Sequence, residues 1–461
     1  MGRLSFFLVS VLIALPLFCG HSALAAGTED GSEQWGYVEV RPKAHLFWWL
    51  YKSPYRVEDP SKPWPVILWL QGGPGASGVG LGNFLEIGPL DGDLKPRNST
   101  WLRKADLLFV DSPVGTGYSY VDDVKDDSLP VKTDDEAAID LTTLLKELFN
   151  GNMSLQQSPL FVVAESYGGK VAVTVGLSIL KAVEAGELNL KLGGFALGNS
   201  WISSEDFVLS WGPLLKAVSR VDSNGLNDSN SLAQTIKQQL AKGQYLEAEQ
   251  SWEELENMIR ASSNDVASDF YNILLDQRND PIISSTSSVA SKATSVQRYS
   301  KHLYSFRPTG AEDDVSILLN GVIREKLKII PNNITWGGQE DIVFPAMIGA
   351  FMKPRIQEVD ELLAKGINVT VYNGQLDLIC STPGVEAWVE KLEWEGLKTF
   401  LSSDRYPLYC DGDESVTKAF KKSYKNLHFY WILGAGHFVP VDQPCISLEM
   451  IGNITQSPNN S

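Results

Sequence analysis

Cysteine is scarce in this chain of 461 residues, with four in all: Cys19, Cys380, Cys410 and Cys445. So thin a supply excludes a fold held by a cystine framework, and nowhere do cysteines and histidines take metal-ligand spacing, so neither a metal nor a cofactor is expected. Cationic residues are also few. Lys and Arg number 39 against 56 Asp and Glu, a formal net charge of −17. Such a chain is repelled by phosphate backbones, which argues against nucleic-acid partners. Long apolar runs are missing except near the N-terminus, where Phe6 to Phe18 falls short of the roughly 20 residues a bilayer span needs and contains Pro16. With Arg3 before it and Ala23, Ala25 and Ala26 after it, this run reads as a secretory signal peptide, residues 1–25. The mature chain then starts near Ala26 and keeps no membrane segment. Internal repeats are absent too.

What is present is a globular composition, 43% hydrophobic and 21% charged. A secretory context gives meaning to the Asn-x-Ser/Thr triplets at Asn98, Asn152, Asn227, Asn333, Asn368 and Asn453, candidate glycosylation sites. Removal of Cys19 with the signal leaves three cysteines, at most one disulfide and one free thiol.

Short apolar runs alternate with helical patterns, predicting an α/β fold with a mostly parallel, doubly covered sheet. Strands are expected at Pro65–Leu70, Leu107–Val110, Leu160–Ala164, Gly194–Leu197, Ile367–Tyr372 and Leu427–Leu433, and helices at Asp135–Phe149, Lys170–Ala185 and Arg355–Lys365. Between about Phe207 and Ile330 the character changes. Leu232 to Asp276 is helical in pattern, and Ile282 to Ser295 is a Ser/Thr/Ala stretch expected to be a mobile loop. Strand and turn signals resume near Trp336. This organisation suggests one core split into 26–206 and 331–461, with 207–330 as a helical cap over the sheet's carboxyl edge.

Ala164-Glu165-Ser166-Tyr167-Gly168-Gly169 lies directly between a strand and a helix. A serine on so tight a turn has its hydroxyl thrust outward, at a helix N-terminus that favours developing negative charge. The usual pattern is Gly-x-Ser-x-Gly, with Ala164 here replacing the first glycine. A serine hydroxyl needs a base, and four histidines survive signal removal. His428 lies inside a strand pattern and reads as a core residue, and His45 and His302 have no special setting. His437, in Gly434-Ala435-Gly436-His437 after the last strand, is the candidate base. Asp377, after another strand, is the acid that would orient it. Ser, Asp, His is the chain order of the α/β-hydrolase fold. Oxyanion donors are available at the Tyr167 N–H and at Gly72 or Gly73. A phosphate-loop reading of Gln71-Gly72-Gly73-Pro74-Gly75-Ala76-Ser77-Gly78 is disfavoured, since it lacks the Lys-Ser/Thr ending.

The blocks WLQGGPGASG (Trp69–Gly78), LLFVDSPVGTGYSY (Leu107–Tyr120), AESYGG, VYNGQLDLIC (Val371–Cys380) and GAGHFVP (Gly434–Pro440) resemble the signature of the serine carboxypeptidase family. The Gln-Leu-Asp variant is most similar to its retinoid-inducible and plant branch. The resemblance implies an α/β-hydrolase with Ser166, Asp377 and His437 as triad, and Gly73 and Tyr167 as oxyanion donors. It implies peptide or protein C-termini as substrates, whose carboxylate is received by Gln71, Gly72, Glu86 and Glu165 as neutral donors at acidic pH. Crowding of the two glutamates is expected to raise their pKa. It also implies a secreted, lysosomal or vacuolar address, a homodimer, an unpaired Cys380 and a Cys410–Cys445 disulfide. Gln71 replaces the family's usual Asn, Gln375 an Asp and Ala76 a cysteine. The competing readings are an acyltransferase built on the same triad, as in plant members, and a binding glycoprotein without catalysis.

Overall fold

A computed structural model describes residues 23–57, 61–261, 268–276, 315–410, 412 and 414–458. The expected mobile stretch Ile282–Ser295 and His302 lie outside them, as do residues 1–22 of the expected signal.

The architecture is that of an α/β-hydrolase. Among the described residues, twelve strands form one sheet: β1 Ala23–Gly27, β2 Glu33–Arg41, β3 Ala44–Tyr51, β4 Val66–Leu70, β5 Asp106–Val110, β6 Tyr120–Val121, β7 Pro159–Glu165, β8 Lys191–Gly198, β9 Val369–Gly374, β10 Tyr406–Leu408, β11 Ala419–Tyr424 and β12 Leu427–Ile432. Their order is β1-β2-β3-β5-β4-β7-β8-β9-β12-β11-β10, with β6 paired to β3. From β5 to β12 the neighbours run parallel, and antiparallel strands close both edges. All five residues of β4 are buried, as in a parallel strand covered on both faces. Val66, Leu68 and Leu70 join one apolar cluster with Leu160, Val162 and Ala164 of β7. Ile67 and Trp69 join the other with Phe161 and Val163.

The helices cover both faces. α1 (Asp134–Asn150) starts on a Thr133 cap, whose hydroxyl accepts the Glu136 N–H at 3.1 Å, while the Glu136 carboxylate accepts the Lys132 N–H. Short α2 (Met153–Gln157) follows, and α3 (Gly168–Glu184) leaves the serine turn. α4 (Ser204–Ala217), α5 (Ser223–Ala241) and α6 (Tyr245–Ala261) supply the helical character expected after Phe207.

Two expectations fail, and one feature has no expectation to match it. The helical pattern expected to reach Asp276 is not kept up: α6 is described to Ala261, and Ser268–Asp276 is an irregular segment closed by a bridge between its ends. Its backbone bonds are made partly within it, as from the Leu275 N–H to Asn272 O at 2.9 Å, and partly to distant loops, as from the Ile273 N–H to Leu376 O at 2.9 Å. Strands do not resume near Trp336. Helices Val343–Phe351 and Ile356–Ala364 come first, because Val343, Met347 and Ala350 recur on one buried helical face. The antiparallel strands β1–β3 were not foreseen, since Phe47 to Leu50 is buried throughout and shows no alternation. β1 also straddles the expected signal cut, so cleavage near Ala26 would remove Ala23–Ala25 from its pairing with β2.

Cys410 and Cys445 form a disulfide, and Cys380 is a buried free thiol. Among the sequons, Asn98, Asn227, Asn333, Asn368 and Asn453 are exposed. Asn152 is half-buried, its side chain accepting the Ser154 and Leu155 N–H groups at the start of α2.

Candidate active site

The parallel strands end in register along one edge: Leu70 beside Ala164, Glu165 beside Gly198, Gly198 beside Tyr372, and Gly374 beside Ile432. From β4 the chain crosses to β5 on one side and later to β7 on the other. That reversal opens a crevice at the carboxyl edge, where ligands of open α/β sheets sit. The loops carrying Gln71, Ser166, Asp377 and His437 all leave this edge.

Ser166 has φ +58°, the left-handed conformation that a side chain rarely adopts. Its N–H is bound to Gly198 O at 3.1 Å and its C=O accepts from the Trp201 N–H at 2.9 Å, so both flanks of the turn are tied to β8 and its loop. The turn is crowded. A Cβ on Gly168 would come within 2.4 Å of Leu70 O, and one on Gly72 would come within 2.4 Å of Ser166 Cβ and 3.0 Å of the Tyr167 nitrogen. Ala164, in the place of the usual first glycine, packs in the core between Leu70 and Leu197 without conflict. Gly73, with φ +105°, continues the same loop past Ser166.

His437 and Asp377 are both fully buried, whereas Ser166 is half-buried and open to the crevice. His437 Nδ1 lies 2.8 Å from Asp377 Oδ2, the contact that fixes a tautomer with Nε2 facing away. The His437 ring is 5.3 Å from that of Tyr271, whose C=O accepts the His437 N–H at 2.7 Å. The irregular segment 268–276 thus braces the candidate base His437. Cys380 sits beside the acid, its N–H donating to Asp377 Oδ1 at 3.2 Å. Potential ligand atoms of Asp377, Cys380 and His437 lie within 4.8 Å of one another, a grouping that the sequence spacing did not reveal. Burial pushes the Cys380 thiol well up, which keeps it protonated and a poor ligand.

A fourth residue belongs to this constellation. Asn199, in Gly198-Asn199-Ser200 after β8, donates from Nδ2 to Asp377 Oδ2 at 2.7 Å, the same oxygen that meets His437. Its Oδ1 accepts the Gly374 N–H at 3.3 Å, and its own φ is +41°. The sequence signal was available: a polar residue directly after an apolar strand of the parallel set. Replacing Asn199 by alanine frees one side of the carboxylate and is expected to lower kcat about 10- to 100-fold with KM little changed, measured on a blocked dipeptide.

The second cluster is acidic. Gln71 Nε2 donates to Glu86 Oε1 and Glu165 Oε1, each at 2.9 Å, and Gln71 Oε1 accepts from Trp69 Nε1 at 2.5 Å. Glu86 arrives on a wide helical turn, Gly78–Ile87, and hydrogen-bonds Glu165. Burial lifts the Glu86 carboxyl to about 7, against the pull of Glu165, Gln71 and Arg97. The cause differs from the expected one. Loss of water raises this group, and the neighbouring carboxyl, by hydrogen-bonding it, works the other way.

Among the described residues, the two other histidines are engaged elsewhere. His428, on β12, bonds Ser423 Oγ at 2.9 Å, and burial lowers it to about 4. His45 stacks on Tyr120 and lies 3.2 Å from Asp122.

The serine carboxypeptidase family model matches residues 25–457. Serine carboxypeptidase-like 51 of Arabidopsis thaliana is 64% identical over 433 residues, covering 93% of this chain and 93% of the relative. Human retinoid-inducible serine carboxypeptidase is 46% identical over 456 residues, covering 96% and 97%. Among solved structures, Kex1(delta)p, a prohormone-processing carboxypeptidase from Saccharomyces cerevisiae, superposes with a TM-score of 0.75 at 22% identity, covering 93% and 92% of the chains, which speaks for the fold.

Proposed function

The chain belongs to the serine carboxypeptidase family, and from that membership we propose that Ser166, His437 and Asp377 hydrolyse the last peptide bond of a peptide or protein through an acyl-enzyme. The observation that carries this reading is the buried His437–Asp377 contact at the same sheet edge as a strained, accessible Ser166. His437 takes the Ser166 proton as Oγ attacks the carbonyl carbon and returns it to the departing amine, and water then repeats the cycle on the ester. The backbone N–H groups of Gly73 and Tyr167 receive the oxyanion.

The substrate's terminal carboxylate is received by neutral donors. At acidic pH, Glu86 carries a proton beside Glu165, Gln71 and the Gly72 backbone, so it offers a hydrogen and not a negative charge. Gln71, one methylene longer than the family's Asn, has both amide hydrogens on the two glutamates and therefore serves chiefly to hold that pair. This chemistry suits a protein of the secretory pathway that works in an acidic lumen, with carbohydrate on the exposed sequons Asn98, Asn227, Asn333, Asn368 and Asn453. Among the described residues, no helix is long and apolar enough to cross a membrane.

A fluorophosphonate probe on the purified mature protein, followed by blocked dipeptides across pH 5 to 8.5, tests the reading. Labelling of Ser166 with release of the C-terminal residue is expected. Labelling with turnover of acyl-glucose esters alone would make the protein a transferase, and no labelling would remove the hydrolytic reading.

A further inference from the structure

Three helix ends converge behind the turn that carries Ser166. α1 begins there at Asp134, α3 begins at Gly168, and Val343–Phe351 ends there. Lys170, from the first turn of α3, is wholly buried. A cation at that position opposes the dipole of its own helix, yet its Nζ reaches the carboxyl end of another, where the dipole favours it. It donates to Ala350 O, and to Phe351 O at 2.9 Å. The same Nζ lies 3.8 Å from Asp134 Oδ2 and 4.7 Å from the centre of the Tyr167 ring.

Asp134 is buried at the amino end of α1, the end that favours an anion. Its Oδ1 accepts from the Tyr167 hydroxyl at 2.5 Å and its Oδ2 from Arg355 Nε at 2.8 Å. Arg355 in turn holds Asp135 at 3.1 Å and Glu358 at 2.6 Å. Phe351, whose carbonyl takes Lys170, stacks its ring on Tyr167 with centroids 5.8 Å apart and planes 5° from parallel. Tyr167 is therefore gripped at its hydroxyl by an anion and at its ring by a cation and an aromatic plane.

A buried ion cluster kept for stability alone has little physical advantage, because apolar replacement of such clusters is often neutral or better. Here the contacts converge on the residue whose N–H follows the nucleophile. We propose that Asp134 and Lys170 are positioning residues that aim the Tyr167 backbone N–H at the developing oxyanion, so that they act on turnover and not on substrate affinity. The inference rests on the triad reading above.

Tyr167→Phe keeps the ring and its stacking and removes the hydroxyl that Asp134 accepts. Its kcat per Ser166 titrated with a fluorophosphonate is expected to fall about tenfold, with KM unchanged. Lys170→Met is expected to lower kcat comparably, and the double variant should be no slower than the slower single one, since both act through one mount.

Titration supplies a second readout. Burial lowers Lys170 to about 8, opposed by Asp134 and Glu358 and aided by Arg355 and Lys353, while the other groups that face it are the Ala350 and Phe351 carbonyls and the Tyr167 ring. Wild-type kcat should therefore decline as pH rises through about 8, and that limb should vanish in Lys170→Met. Unchanged kcat in Tyr167→Phe overturns the inference. So does a loss of activity in proportion to lost titratable sites, which would mark a folding role only. If Lys170→Met does not fold, Tyr167→Phe decides alone. A wild-type Ser166 that resists the probe sinks the triad reading itself and takes this inference with it.

Discussion

Ser166→Ala should reduce kcat/KM on a blocked dipeptide by roughly 10⁴- to 10⁶-fold, leaving the melting temperature within a few degrees of wild type. The free thiol of Cys380 does not replace the proposed nucleophile. Cys380 is buried, its thiol held protonated by that burial, and its neighbours are the acid and base rather than the crevice. His437→Ala should cost about as much as Ser166→Ala, and the double variant no more, because a triad fails as a unit. Additive losses in the double variant would mean that the two side chains do not act on one proton. A slight gain in stability is expected from Ser166→Gly, since the φ of +58° no longer carries a Cβ.

KM should depend on pH in the opposite sense to a pocket lined by arginine or lysine. Below about 7 Glu86 is neutral and donates. Above it the group ionises and repels the substrate carboxylate, so KM should climb by up to tenfold per pH unit. Glu86→Gln retains a donor and removes this titration, and should flatten the climb, while Glu86→Ala should raise KM even at pH 5. The same shift has a stability consequence. A carboxyl whose folded pKa exceeds its unfolded value binds more protons in the native state, so stability falls as pH rises from about 4.5 to 7. Melting should therefore move upward on acidification across that window, and less so in Glu86→Gln. A wild-type KM identical at pH 5 and pH 8.5 would refute neutral carboxyl recognition, whatever the activity.

Several of these features could be read before any coordinates. The strands β4 and β7 announced themselves as continuous apolar runs stopping at Gly-rich turns, and Ser166, Asp377 and His437 each follow a strand, β7, β9 and β12 in turn. The helical pattern concealed the irregular segment Ser268–Asp276, because part of its backbone bonding is to Leu376, Leu378, Ile379 and His437, which lie far off in the chain. Nor did the apolar stretch Phe47–Leu50 disclose an antiparallel edge, since burial on both faces erases alternation.

By itself the amino-acid order singled out the residues proposed to do chemistry, because a nucleophile turn and its strand are local objects whose rules operate within a few positions. Folding alone decided what those residues touch. Gln71 meets Glu165 across 94 positions, Asn199 meets Asp377 across 178, and Lys170 meets Phe351 across 181. A buried polar group must find a partner, but the chain pattern records only that it is buried. Which donor arrives, and so which carboxyl keeps a proton and which loses it, is settled when the sheet edge brings distant loops together.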